Sequence, residues 1–194
     1  MTKGRLEAFS DGVIAILITI MVLELKVPHG TDWQALRPML PTFLSYLLSF
    51  VFLGIYWNNH HHLLHATEKV SGGTLWANMH LLFWLSLVPF VTAWMGEHPR
   101  AAAPAAAYGV VLLCSAIAFT ILVRVLLRHH GPESRLARAI GSDAKGYLSL
   151  ALYLAAIPLA FVHVYAADAI YVAVALIWLV PDRRIERVLE GHHH

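Results

Sequence analysis

The chain has 194 residues, of which 58% are hydrophobic and only 13% charged, with a mean hydropathy of +0.62. Soluble domains carry about a quarter charged residues, so this length must be divided into bilayer-length pieces rather than folded around one aqueous core. The net charge of +2 is small and the basic residues form no single patch, which excludes a nucleic-acid-binding class. Cys114 is the only cysteine, so no intrachain disulfide exists, and its apolar surroundings fit a small buried hydrophobe.

Six apolar segments are predicted in chain order. The first runs from Phe9 to Val27 and stops at Pro28-His29-Gly30. Acidic residues precede it and no small-residue cleavage site follows it, so it does not read as a cleavable signal peptide. The second runs from Pro41 to Trp57 and continues as helix through the following histidines. The third, Leu75 to Met95, contains Pro89, where a kink is predicted. The fourth is Ala105 to Leu127. The fifth, Tyr147 to Val164, contains Pro158, and the sixth runs from Ala166 to Val180, ended by Pro181. The last two are predicted to meet at a tight turn, Tyr165-Ala166-Ala167-Asp168, with Asp168 solvated.

Charge orients these spans. Placing both termini, the second-to-third loop and the fourth-to-fifth loop on one side collects Lys3, Arg5, Lys69, Arg124, Arg128, Arg135, Arg138, Lys145, Arg183, Arg184 and Arg187 there. Only Lys26, Arg37 and Arg100 fall on the other side. Cytoplasmic loops carry such an excess of Lys and Arg. The expectation is an all-α membrane protein with six transmembrane helices per chain and both termini cytoplasmic, sitting in the cell membrane as one domain over residues 1–190. Gly191-His192-His193-His194 reads as a tag remnant.

The first segment holds the functional candidates. Ionisable residues at a membrane boundary are costly unless partnered. Arg5 and Asp11 are six residues apart and so lie on different helix faces, each needing a partner from another helix. For Asp11 the candidates are Trp57, Asn58 or the histidines at the end of the second segment. The simpler alternative is that Ser10 or Asp11 caps the helix. At 3.6 residues per turn Ile16, Ile20 and Leu23 form one stripe, with Thr19 at its edge and Gly12 and Phe9 extending it. Such a stripe also suits plain packing on neighbours or lipid.

Arg5, Phe9, Ser10 and Asp11 stand as Arg-x-x-x-Phe-Ser-Asp, and this run resembles the signature of the transmembrane protein 175 family of lysosomal and bacterial potassium channels. Val27-Pro28, the run Ile55-Tyr56-Trp57-Asn58-Asn59-His60-His61 and the run Leu85-Ser86-Leu87-Val88-Pro89-Phe90 are similar too. The resemblance implies a homotetramer around a central pore lined by four copies of the first helix. It implies an aliphatic constriction at Ile16, Ile20 and Leu23, a potassium-preference role for Thr19, and an interhelical network of Arg5, Phe9, Ser10, Asp11, Trp57, His60 and His61. Ala15 stands where some members carry a hydroxyl. The carbonyl-type Thr-Val-Gly-Tyr-Gly filter is absent from this chain, as it is from the family. No cofactor is implied beyond permeant potassium, with other monovalent cations as further candidates and membrane lipid as the surrounding partner.

The cluster His60, His61, His62 and His65 contains an i, i+4 pair but no His-Glu-x-x-His motif, so bundle hydrogen bonding, pH sensing and a metal site are weighed in that order, and no metal is assigned. Most tryptophans fall near segment ends, as interfacial anchors do. Glu24 either forms an acidic ring at a pore mouth or pairs locally. The main rival to a channel is a proton-coupled transporter using Asp11 and the His60–His65 cluster. A membrane enzyme ranks last, since no nucleophile–base pair stands out.

Overall fold

The computed structural model describes residues 2–67, 69–131, 134, 137 and 143–179. Arg135, Arg138, Pro181, Arg183, Arg184, Arg187 and the terminal 191–194 stretch lie outside the described residues. Helix α1 covers Lys3–Met21 and tightens into a 3-10 turn, Val22–Glu24. It therefore begins six residues before the apolar run does, so Ser10 and Asp11 lie two turns inside it and cap nothing.

A 3-10 stretch, Trp33–Met39, is capped by Asp32, whose carboxylate accepts the Ala35 N–H, and it leads into α2, Leu40–His65. The α2 helix runs on through the histidines, as the sequence predicts. Ser71 and Thr74 form a capping box at the start of α3, Gly72–Ser86. The kink predicted at Pro89 appears as a break at Leu87, after which α4 covers Val88–Glu97. Helix α5, Ala102–His130, is the longest, and the positive φ of Gly131 (82°) ends it. Helices α6, Ala144–Ala160, and α7, Val164–Leu179, follow.

The predicted junction between the last two segments needs correction. The chain turns at Phe161–His163, not at Tyr165–Asp168. Pro158 removes a donor from the end of α6, and His163 starts α7 by accepting the Ala166 N–H on its Nδ1 at 3.2 Å. Asp168 consequently sits inside α7, partly buried, with an Oδ1 that has no hydrogen-bond partner. It is not the solvated turn residue its charge implied.

Among the described residues four helical segments have the length and apolarity to cross a membrane: Lys3–Glu24, Trp33–His65, Gly72–Glu97 and Ala102–His130. Helices α6 and α7 are apolar but shorter, with 17 and 16 residues. The α5 helix packs along α3 and α6, α7 closes on α6, α2 lies against α4, and α1 rests on α2, α3 and α4.

Lipid tails are as apolar as leucine, so helices in a bilayer associate through close packing and buried polar contacts. Both occur here. A Cβ at Gly96 would come within 2.8 Å of Thr42 Cα, and one at Gly109 would run into the Tyr171 hydroxyl, so both glycines mark sites of close helix approach. Tyr108, Ser49 and Thr92 form a buried hydroxyl chain (2.9 and 2.7 Å) that ends when Thr92 donates to the Val88 carbonyl at 2.6 Å. Lys3 and Lys69 lie at one end of the bundle, bonded to the ends of α2 and α5, while Lys26 lies at the other, paired with Glu97 at 3.6 Å.

Candidate functional site

Helix α1 presents three distinct faces. Leu6, Ser10, Ile14, Leu17 and Met21 recur at helical spacing and are buried against the bundle. Beside them Lys3, Glu7 and Asp11, four residues apart, meet α2 in three rungs. Lys3 Nζ donates to the His65 carbonyl at 3.0 Å, Glu7 Oε1 lies 3.1 Å from His61 Nδ1, and Asp11 Oδ1 accepts from Trp57 Nε1 at 3.1 Å. The partners descend by fours as the α1 residues ascend by fours, which is what two antiparallel helices in register require. The Trp57, His61 and His65 rings stack in sequence, with centroids 6.2 and 6.0 Å apart.

Deeper in the bundle a second set joins three helices. Ser10 Oγ donates to the Leu6 carbonyl at 2.9 Å and accepts from Asn78 Nδ2 at 2.9 Å, while Asn78 Oδ1 faces His60 Nε2 at 2.7 Å. All three side chains are fully buried. Because the serine proton is committed to Leu6, the Asn78 amide must turn its nitrogen to Ser10 and its oxygen to His60. His60 therefore carries its proton on Nε2. Its Nδ1 has no partner. Asn78 was not among the residues singled out from the sequence. The available signal was a lone carboxamide inside an apolar span.

The third face of α1 is covered by nothing in the described chain. Arg5, Phe9, Gly12, Ile16, Thr19, Ile20 and Leu23 are all exposed, Ile16 at 56% and Leu23 at 76%. Ile18, on another face, packs on the core. Thr19 Oγ1 turns its proton back to the Ile16 and Ala15 carbonyls (2.9 and 3.1 Å), which leaves an oxygen lone pair as the outward-facing group.

Residues 5–89 match the family model described as endosomal/lysosomal potassium channel TMEM175. A potassium channel of Chryseobacterium sp. (strain P1-3) is 57% identical to this chain over 98% of it and 99% of the relative. The chain belongs to the TMEM175 family. The crystal structure of a lysosomal potassium-selective TMEM175 homolog from Chamaesiphon minutus is similar at a TM-score of 0.77 and 32% identity, over 92% of this chain and 96% of that one. The endosomal/lysosomal proton channel TMEM175 of Bos taurus is 32% identical over 83% of this chain, which spans 37% of that longer protein. TMEM175 proteins are ion channels, not enzymes.

Within this TMEM175 chain the signature divides. Ser10 and Asp11 make interhelical bonds to α3 and α2, and Trp57, His60 and His61 are their partners or neighbours. Arg5 and Phe9 do not join them. Arg5 makes no hydrogen bond or ion pair among the described residues, and it shares the uncovered face with Phe9. Residues six apart do not both face α2, so Arg5 looks away from the Asp11 contacts within the described chain. His61 and His65 do share a face, but no group of three metal-ligating side chains occurs among the described residues. Glu24 is exposed in the 3-10 turn, and Lys26 pairs with Glu97 instead of with it.

Proposed function

We propose that this chain is one subunit of a potassium-permeable channel, a homotetramer in which four copies of α1 line the pore. The single observation carrying this reading is the division of α1. One face is locked to α2 and α3 by directional polar bonds, while a continuous apolar face with one hydroxyl, Phe9 to Leu23, has no cover among the described residues of the chain. The potassium-channel names of the bacterial relatives support the ion assigned. Each chain is read as six spans, α3 and α4 forming one kinked span, with both termini and the basic loops cytoplasmic in the cell membrane. Helix α6 falls slightly short of a roughly 30 Å hydrocarbon core, a mismatch that local thinning and snorkelling flanks absorb.

Four-fold repetition of the stripe stacks rings of Ile16, Ile20 and Leu23 about one axis. A narrow ring of branched aliphatic side chains excludes water and so blocks ions without any charge. Ile16, the deepest of the three, forms the main constriction. Thr19 offers four oxygen lone pairs between these rings and favours potassium over sodium. A proton-coupled carrier is not favoured, because α1 has no ionisable side chain from Gly12 to Leu23, and its acidic groups are already bonded at one end.

Ion flux and reversal potentials in liposomes test the assignment. Ile16→Asn is expected to raise basal cation leak by keeping water in the closed pore, and Ile18→Asn is not. Thr19→Ala is expected to keep conduction and lower potassium preference. Raised leak from Ile18→Asn with unchanged leak from Ile16→Asn would place the wrong face on the pore.

A further inference from the structure

Away from α1, a cleft partly open to the exterior lies between α2, α5, α6 and α7. Its walls are aromatic, built from Phe52, Phe119, Tyr153 and Trp178. Its mouth is charged. Asp143 lines it at the start of α6, and Arg124 stands one turn beyond the lining residue Thr120 on α5. One Asp143 oxygen accepts the Gly146 N–H at 2.9 Å, and the other is bonded to no described residue. Among the described residues Arg124 makes one long contact, Nη2 to the Tyr147 hydroxyl at 3.4 Å.

Burial raises the Asp143 carboxyl above its usual range, against the pull of the Gly146 N–H and of Arg124. Helix α6, at roughly 26 Å, is shorter than a hydrocarbon core of about 30 Å. Asp143 caps the N-terminal end of this helix, and the aromatic walls run away from it along the span.

We propose that this cleft binds a phospholipid bearing a primary-amine headgroup, its ammonium on Asp143, its phosphate on Arg124 and one acyl chain between the aromatic walls. A carboxylate beside a guanidinium complements a zwitterion and disfavours a purely anionic headgroup. A primary ammonium donates hydrogen bonds to the free carboxylate oxygen, and a trimethylammonium has no N–H with which to do so.

Native mass spectrometry of the purified full chain, with phosphatidylethanolamine, phosphatidylcholine and phosphatidylglycerol of matched acyl chains, tests this. The wild type is expected to retain phosphatidylethanolamine over phosphatidylcholine by about tenfold, the scale of one charge-assisted hydrogen bond. Asp143→Asn keeps the helix cap, since Asn and Asp cap equally well, and is expected to erase that margin. Arg124→Gln is expected to weaken both zwitterionic lipids, and Ala116→Phe, which fills the cleft, to weaken all three. Equal retention of the two zwitterionic lipids by the wild type overturns the proposal, even if a variant fails to fold. So does a margin that survives in a folded Asp143→Asn protein, or preferential retention of phosphatidylglycerol.

Discussion

Asn78→Leu tests the Ser10–Asn78–His60 set. The replacement has similar volume and removes both carboxamide bonds. Ser10 keeps its bond to the Leu6 carbonyl, so the damage falls on His60, whose Nε2–H is left unpaired beside an Nδ1 that already lacks a partner. Stranding a buried donor costs about 1–3 kcal/mol. Interhelical bonds in bilayers average only about 0.6 kcal/mol, because the unfolded helices also find partners, which pulls the expected total towards the lower half of that range. The decisive variant is the double one. His60→Phe in the Asn78→Leu background replaces the stranded imidazole with an apolar ring, and most of the lost stability is expected to return. Unfolding in lipid–detergent bicelles, read as a double-mutant cycle, gives the coupling directly. Additive costs, or no cost for Asn78→Leu alone, would refute the hydrogen-bond assignment.

Gly109→Ala drives a methyl group into the Tyr171 hydroxyl, itself bonded to the Ala105 carbonyl at 2.9 Å, and an overpacking loss of about 1–3 kcal/mol is expected in the same unfolding assay. Asp11→Ala breaks the Trp57 rung, but Trp57 is 44% exposed, so water recovers the donor and the loss in monomer stability is expected near 1 kcal/mol, not the larger penalty of a severed buried ion pair. Arg5→Ala is expected to spare the monomer and reduce the tetramer fraction measured by mass in detergent. A lower melting temperature with intact assembly would return Arg5 to the interior of the chain.

What could be read in advance follows from which forces are local. The Ile16–Ile20–Leu23 stripe was legible because helical period alone sets which side chains share a face. The choice of α2 as Asp11's partner followed from two segment ends lying on one side of the membrane. The same reasoning assigns no partner to Arg5, whose face of α1 meets no other helix among the described residues. Asp168 misled through its charge: a carboxylate was taken to mark the solvent-exposed turn, whereas Pro158 and the capping ring of His163 decide where the chain reverses. Asn78 escaped because a single amide leaves no periodic trace. Only the fold brings it between Ser10 and His60.

The three rungs between α1 and α2 have a mechanical consequence. Directional polar bonds fix α1 between Lys3 and Asp11, whereas from Ile14 onward it is held by apolar packing, which tolerates sliding. The helix is clamped at one end by directional bonds and held at the other by the packing of Leu17 and Met21 and by the exposed Lys26–Glu97 pair. Leu23 lies about 18 Å along the axis from Asp11, so a tilt of about 10° displaces it by about 3 Å. In the tetramer proposed above, Leu23 would then travel furthest and Ile16 least, and widening of the pore would spread inward from the far mouth towards the clamp.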